Sequence, residues 1–279
     1  MLIPGMKDMG EKHLMGIRAT VLFVLYNNFD KAEPTVCSLE EQLECSDVEL
    51  IISDDCSGSY DTSLLQGLKD RLADRFADVR INVNETNMGS VAHFNKLFKM
   101  VRGKYILFCS PGDRFPAASA ISGIIKDFEK SGAMILTGRR CDRYADHSKL
   151  RPGIFTALGL KLCPAVLMNY MVRHRNLISS CSTAYSKELF EKYGCLDEDY
   201  RLLDDFPFIV SLLKRGCRIA YTGRIFLEHD MGSGVSTGES IHPIILKDLE
   251  LMQEKLLKDP KGLSKASIRY LEEAVSKRG

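Results

Sequence analysis

Paired aspartates follow an apolar segment near residue 50, where Asp54 and Asp55 lead directly into Cys56-Ser57-Gly58. The preceding residues 50–52 read Leu-Ile-Ile, which is typical of a buried strand. A strand that ends in carboxylates and a turn of small residues can offer hydrogen-bond acceptors to a ligand. We expect Asp54 to cap the turn and Asp55 to bind the ligand.

Two further apolar segments end in polar residues in the same way. Residues 21–25 run into Tyr26-Asn27-Asn28, and residues 105–109 run into Ser110-Pro111-Gly112-Asp113. In an open α/β sheet, ligands bind at the carboxyl ends of the parallel strands. The three polar strand ends are therefore expected to meet in one crevice.

Apolar segments alternate with amphipathic ones along the chain, which predicts βαβ units and a parallel sheet. The region from 138 to about 177 lacks strand alternation, and long irregular segments in compact domains are commonly functional. The tail, 243–277, predicts two amphipathic helices. Strands are predicted at 19–26, 48–53, 79–84, 104–109, 133–137 and 218–222, and helices at 33–45, 60–76, 89–101, 116–130, 165–172, 186–193 and about 203–216.

Composition limits the class of protein. The 279 residues suit one large domain with an appendage, and a net charge of +1 argues against a nucleic-acid partner. No apolar segment approaches the roughly 20 residues that span a bilayer, and the N-terminus lacks the apolar segment of a secretory signal. Nine cysteines without a Cys-x-x-Cys pair predict reduced thiols, no disulfide framework and no zinc site. We expect a cytoplasmic protein.

Basic residues concentrate in two regions. In the middle of the chain, around Arg139 to Arg175, a solvated surface is the simplest explanation. On the final helices, basic residues could contact anionic lipid head groups, which predicts a peripheral membrane contact at the inner face of the membrane. Acidic residues interleave there, so a solvated face or a homodimer contact is an equal alternative. These residues are Lys247, Lys255, Lys258, Lys261, Lys265, Arg269, Lys277 and Arg278.

The order of motifs over residues 19–236 resembles the inverting family 2 glycosyltransferases, which have the nucleotide-sugar-binding GT-A fold. Tyr26-Asn27 resembles the family's Tyr-Asn after the first strand, and Asp54-Asp55-Cys56-Ser57 resembles its Asp-Asp-Gly-Ser. Asn87-x-Gly89 followed by Asn95 is similar to its Asn-x-Gly…Asn helix start. Asp204-Asp205 stands where the family usually has Glu-Asp or Asp-Asp.

The resemblance implies an α/β fold with a GT-A type, Rossmann-like, mostly parallel central sheet flanked by helices. The GT-A domain would cover 18–236, between an N-terminal tail (1–17) and a C-terminal helical extension (237–279). Residues near 138–177 would shape the acceptor site, and Arg224 with the glycine-containing stretch 232–236 resembles a segment that closes over the donor, a simple linker being an equal alternative.

The resemblance also assigns roles to individual residues. Asp205 would be the general base, and Asp55 would bond the nucleobase. The nucleotide-sugar site would comprise Tyr26, Asn27, Asp55, Asn87, Gly89 and Asn95.

The metal motif departs from the family. Members commonly read Asp-x-Asp-Asp where this chain reads Ser110-Pro111-Gly112-Asp113, which leaves only the last carboxylate. A single carboxylate can still anchor Mg²⁺ or Mn²⁺ when diphosphate oxygens and water fill the other positions. His229 is a second candidate ligand, although a lone histidine near a strand end is more often structural. Without the resemblance, Asp113 would be interpreted as the N-cap of the helix after Pro116.

The resemblance, together with these residues, implies an inverting glycosyltransferase of hexosyl or N-acetylhexosaminyl type. It would transfer a sugar from a nucleotide-diphosphate sugar, expected to be a UDP-sugar, to a hydroxyl of a glycan or lipid-linked acceptor in bacterial surface polysaccharide biosynthesis. The alternative is a catalytically inactive nucleotide-sugar-binding scaffold subunit of the same fold. A dinucleotide-dependent oxidoreductase is disfavoured because no Gly-x-Gly-x-x-Gly follows the first strand.

Overall fold

Apolar segments of five to twelve residues and several short polar ones form the strands of one sheet. The computed structural model describes residues 16–58, 62–231 and 241–278. Within them the nine strands are β1 (Ala19–Leu25), β2 (Val48–Asp54), β3 (Asp78–Val83), β4 (Tyr105–Cys109), β5 (Asp113–Arg114), β6 (Ile135–Arg143), β7 (Ser148–Arg151), β8 (Thr183–Ser186) and β9 (Ile219–Asp230).

The strand order is β3-β2-β1-β4-β8-β6-β9-β5, with β7 paired to β6. Strands β1 to β4 are parallel to one another, and β9 is parallel to β6, whereas β5, β7 and β8 pair antiparallel with their neighbours. The predicted α/β fold with a largely parallel central sheet is confirmed.

Ten α-helices in the described residues cover the sheet. Helices α1, α2 and α4 pack on one face, and α3 with α6 to α10 pack on the other. They are α1 (Ala32–Glu40), α2 (Thr62–Leu72), α3 (Ser90–Met100), α4 (Ala120–Ser131), α5 (Ile154–Leu162), α6 (Pro164–Arg173), α7 (Lys187–Tyr193), α8 (Phe206–Lys214), α9 (Pro243–Lys258) and α10 (Lys265–Ser276).

Strand β1 is buried on both faces, which explains why its sequence is continuously apolar. Val21 and Phe23 contribute to the apolar cluster on one face, and Leu22 to the cluster on the other. In the parallel register, Leu25 lies opposite Asp54 and Phe23 lies opposite Cys109. The polar residues that follow β1, β2 and β4 therefore emerge at the same edge of the sheet.

The prediction that the region from 138 to about 177 contains no strand was wrong. Strand β6 continues to Arg143 and forms a hairpin with β7. Its outer half carries charged residues, so the apolar alternation that identifies a strand is missing from the sequence. Asp142 is nevertheless fully buried there, because ion pairs with Arg140 and Arg151 satisfy its carboxylate. The helix predicted from 116 also begins later, at Ala120.

Gly103, just before β4, allows two segments of backbone to approach closely. Its N–H donates to Thr20 Oγ1 at 3.0 Å, and a Cβ at this position would lie 2.3 Å from the carbonyl carbon of Ala19. We expect Gly103→Ala to lower the free energy of unfolding by about 1–3 kcal/mol, because the backbone must move to accommodate the methyl group. Urea unfolding followed by circular dichroism measures this change.

Gly67→Ala is the matched control. Gly67 lies in α2 with open space around the position of a Cβ, so alanine should raise the free energy of unfolding by roughly 0.5–1 kcal/mol. Equal effects of the two substitutions would contradict the close approach at Gly103.

Candidate active site

Asp113 and His229 face each other across the antiparallel pair β5 and β9. His229 Nδ1 lies 2.6 Å from Asp113 Oδ1, and Asp113 Oδ2 accepts a hydrogen bond from the N–H of Ser110 at 2.8 Å. Asp113 is almost fully buried. Asp113 is therefore a strand residue and not the N-cap of α4, a position that Ser119 occupies.

Cys181 completes a group of metal-ligating side chains. It lies in the turn 180–182 before β8. Asp113, Cys181 and His229 each offer one ligand atom, and these three atoms lie within 4.8 Å of one another. Burial raises the pKa of the Cys181 thiol to about 12, and the charge of Asp113 acts in the same direction. A bound cation would favour the thiolate. The sequence gives no signal for Cys181 as a ligand, because it lies far along the chain from both Asp113 and His229.

The donor set of this group fits a divalent cation. One carboxylate oxygen, one imidazole nitrogen and one thiol sulfur can each bind a first-row metal, and open positions remain for phosphate oxygens or water. Imidazole and thiolate ligands favour Mn²⁺ or softer ions over Mg²⁺, which prefers oxygen.

Asp205 lies next to this group. It immediately precedes α8, and its Oδ2 accepts a hydrogen bond from the N–H of Ser180 at 3.3 Å. Burial raises the pKa of Asp205, while the N–H groups of Ser180 and Phe206 oppose that shift. Since Ser180 is bonded directly to Cys181, one short turn connects Asp205 to the candidate metal ligands.

Asp204 has a different environment from its neighbour. It lines a cavity of about 490 Å³ between α8, α9 and the segment 193–204, and Asp205 does not. Burial, followed by the charge of Asp205, raises the pKa of Asp204 to about 8. The two adjacent carboxylates therefore face different surroundings.

Arg140 is a site residue that sequence reasoning assigned to a solvated surface. Its guanidinium is mostly buried and donates to Asp142 Oδ1 and to Ser179 Oγ. Its charge also acts on Asp205 and on Cys181, which places it beside both. The only sequence signal was the Arg139-Arg140 pair inside an otherwise strand-like segment.

The carboxylates after β2 organise loops. Asp54 accepts hydrogen bonds from the N–H and Oγ of Ser57, which confirms its capping role. Asp55 is 4% exposed, and its carboxylate accepts four hydrogen bonds, so that no acceptor position remains for a ligand unless the loop rearranges. The four donors are the side-chain amides of Asn84 and Asn87 and the backbone N–H groups of Met88 and Gly89.

Asn87, Gly89 and Asn95 also hold backbone in place. Gly89 has a φ of +79°, and a Cβ there would lie 2.7 Å from the carbonyl oxygen of Arg201. Asn87 Oδ1 accepts from Arg201 at 2.8 Å. The buried Asn95 amide donates to Leu196 O and accepts from Leu196 N–H. These three residues therefore position the loops around α3.

Tyr26 and Asn27 lie at the end of β1, beside the turn after β2. Asn27 Oδ1 accepts from the N–H of Gly58 at 2.9 Å, and the N–H of Asn27 donates to Ser57 Oγ at 2.8 Å. Tyr26 is 46% exposed, so its ring is free to stack on a planar ligand. The two loops are thereby joined into one surface at the edge of the sheet.

The structure thus brings Asp113, His229 and Asp205 together, with Cys181 and Arg140 beside them. It places Tyr26, Asn27, Asp55, Asn87 and Gly89 at the ends of β1 to β3, whereas Asn95 lies within α3 and bonds to Leu196. The donor-closing stretch 232–236 lies outside the described residues. Arg224, which was grouped with it, pairs with Asp127 at 2.9 Å and packs on α4 at Gly123.

The model of the family "Glycosyl transferase family 2" matches residues 20–194. A search of curated protein sequences gives no significant match.

Solved structures share the fold. S. aureus TarS (residues 1–349) in complex with UDP-GlcNAc is 14% identical, with a TM-score of 0.65 over 94% of this chain and 72% of that one. The mannosyltransferase PcManGT from Pyrobaculum calidifontis, in complex with GDP-Man and Mn²⁺, is 13% identical, with a TM-score of 0.62 over 94% and 70%. This chain spans 43% of the longer TarS structure. Because the family model covers more than half of the sequence, the protein belongs to glycosyl transferase family 2.

Proposed function

We propose that this protein transfers a sugar from a nucleotide-diphosphate sugar, a UDP-sugar, to a hydroxyl group of a glycan or lipid-linked acceptor, with inversion at the anomeric carbon. The observation that carries the proposal is the position of Asp205 beside Asp113, Cys181 and His229. A base and a cation site, close together, are what attack by a hydroxyl and departure of a diphosphate require.

The proposed reaction assigns a task to each group. The acceptor oxygen attacks the anomeric carbon and gives its proton to the Asp205 carboxylate, while the bond from that carbon to the diphosphate oxygen breaks. Attack from the face opposite the diphosphate inverts the configuration. Arg140 is placed to balance negative charge that develops on the diphosphate side.

A divalent cation completes the proposal. Asp113, His229 and Cys181 would hold it, and it would act as a Lewis acid on the diphosphate oxygens. The Mn²⁺ in the mannosyltransferase complex supports the predicted Mg²⁺ or Mn²⁺, and of these two ions the donor set of this chain favours Mn²⁺.

The donor site is proposed at the ends of β1 to β3. Tyr26 and Asn27 would contact the nucleobase directly, and we assign Asp55, Asn87, Gly89 and Asn95 to positioning those contacts, because their polar groups bond to the protein. The structural neighbours bind UDP-GlcNAc and GDP-Man, so the preference for the donor's nucleobase is tested with UDP-sugars and with GDP-sugars. The place in polysaccharide biosynthesis, the hexosyl type and a homodimer remain predictions.

Asp205→Asn tests the base. We expect the rate of sugar transfer to fall at least about 100-fold, because the amide cannot accept the acceptor proton. Donor binding, measured by calorimetric titration of UDP-sugars and GDP-sugars with Mn²⁺, should remain unchanged. Asp204→Asn is the matched control and should lose less than about tenfold. Absence of Asp205-dependent transfer or donor hydrolysis with every donor would favour the scaffold alternative.

Asp204→Asn tests the raised pKa through stability. In the unfolded chain an aspartate ionises near pH 4, about its ordinary value, whereas folded Asp204 keeps its proton until about pH 8. The folded state therefore loses stability as the pH rises between these two values. We expect Asp204→Asn to unfold at the same temperature as the native chain at pH 4 and several degrees higher at pH 8.

Asp199→Asn is expected to change stability in the opposite direction. A hydrogen bond from Lys255 lowers the pKa of exposed Asp199, so replacing this carboxylate should cause a small loss of stability at pH values above 4. A melting-temperature difference for Asp204→Asn that does not change with pH would contradict the raised pKa.

Cys181→Ser tests the third ligand. We expect the affinity for Cd²⁺, measured by calorimetry on the otherwise native chain, to fall about tenfold or more, because serine removes the soft donor. Mg²⁺ affinity should change far less, whereas His229→Ala should weaken both. Cys109→Ala is the control, since Cys109 is buried near Asp113 but outside the ligand group. Equal Cd²⁺ affinities of Cys181→Ser and the native chain would remove Cys181 from the site.

A further inference from the structure

Helices α5 and α6 carry apolar side chains that nothing in the described part of the chain covers. In α5 these side chains follow the spacing i, i+1, i+4 and i+8, which falls on one face of a helix. In α6 two more are four residues apart. The apolar face consists of Ile154 (63% exposed), Phe155 (86%), Leu158 (46%), Leu162 (71%), Val166 (66%) and Tyr170 (42%).

This concentration is unusual for the molecule. Seven of the fourteen exposed large hydrophobic side chains in the described residues lie between 150 and 170, and Phe155 is the most exposed of all. Single exposed hydrophobic residues are ordinary, but a contiguous group of them marks a surface that contacts a partner or a membrane.

The opposite sides of both helices are packed, so the apolar face is held in a fixed position. Leu160, Met168 and Met171 are buried in the core cluster around α8. Gly159 brings the helices together, since a Cβ there would lie 3.1 Å from Cβ of Leu167. These helices are therefore apolar both toward the core and toward solvent.

Charge around the apolar face has a single sign. Residues 147–187 contain no aspartate and no glutamate. Lys161 and Arg175 are exposed, and neither takes part in an ion pair among the described residues. The six basic residues of this stretch are Lys149, Arg151, Lys161, Arg173, Arg175 and Lys187.

We propose that the apolar face docks onto a membrane surface that contains anionic lipids. Its side chains would enter the boundary between head groups and acyl chains, and Lys161 and Arg175 would bind lipid phosphates. No helix of the described chain has the length and apolar character to cross a bilayer, so the contact is peripheral. A second copy of the chain fits less well, because two copies would bring together the basic residues of a segment that contains no carboxylate.

The proposed membrane contact is separate from sugar transfer, and it lies on α5 and α6 and not on the C-terminal helices α9 and α10. Acidic residues interleave with the basic ones there, and three of the eight basic residues form ion pairs: Lys255 with Asp197 and Asp199, Arg269 with Glu273, and Arg278 with Glu250. Within the part of the chain that the structure describes, Lys161 and Arg175 have no such partner.

The chain contains no tryptophan, so a single introduced tryptophan reports on its own surroundings. We expect the fluorescence of Phe155→Trp to shift to shorter wavelength with phosphatidylglycerol-rich vesicles and to be quenched by brominated lipids. Vesicles of phosphatidylcholine alone should have little effect, and added salt should weaken the response. Tyr270→Trp on α10 is the matched control and should not respond.

Surface variants separate the apolar and the electrostatic contributions to vesicle binding. In vesicle flotation, Leu158→Ser with Leu162→Ser should reduce the affinity about tenfold or more, because less apolar area is buried. Lys161→Glu with Arg175→Glu should also reduce it at least about tenfold. Leu43→Ser with Leu246→Ser removes exposed leucines elsewhere and should leave binding unchanged. Circular dichroism checks that every variant is folded.

Two results would overturn the proposal. One is an unchanged Phe155→Trp spectrum with anionic vesicles. The other is a dimer in sedimentation velocity without lipid that Leu158→Ser with Leu162→Ser dissociates, which would make the apolar face an interface between copies. Vesicle binding needs neither donor nor acceptor, so a failure of sugar transfer would leave this test unaffected.

Discussion

The pairing of two-residue strand β5 with the end of β9 is the constraint on which the candidate active site depends. It sets Asp113 opposite His229 across the sheet. Strand β9 is in turn held by β6, whose register shifts between Thr137 and Arg140. Gly138 permits this, because a Cβ there would lie 2.3 Å from the ring of Phe226. Two of the three candidate cation ligands, Asp113 and His229, are thus positioned by strand pairing, and Cys181 lies in the turn before β8.

Burial sets the proton affinity of the two carboxylates beside this group. Asp205 and Asp204 are adjacent and partly buried, and burial raises the pKa of each. A raised pKa makes a carboxylate a better proton acceptor once it is ionised. Arg140, and a cation bound at Asp113, would balance the charge that remains. At the ends of β1 to β3, the buried carboxylate has a structural environment instead. Asp55 accepts four hydrogen bonds that hold the surrounding loops in place.

Sequence reasoning located most of the fold because its signals are local. The alternation of apolar strands with amphipathic helices predicted the parallel half of the sheet, with boundaries close to those of β1, β2 and β4. It failed at the β6–β7 hairpin, where charged residues face partners that only the folded chain supplies. The short strand β5 was also missed, because two residues carry no periodicity.

For the site, the sequence by itself determined which carboxylates follow strands or precede a helix, namely Asp54, Asp55, Asp113 and Asp205, and the resemblance supplied their expected roles. Tertiary structure alone decided how those groups are used. It brought Cys181 and Arg140 to the site, turned Asp55 and Asn95 inward to bond to neighbouring backbone, and left the apolar face of α5 and α6 uncovered by the other described residues. The physical reason is that burial and hydrogen-bond partners come from residues distant in the chain, which a local pattern does not contain.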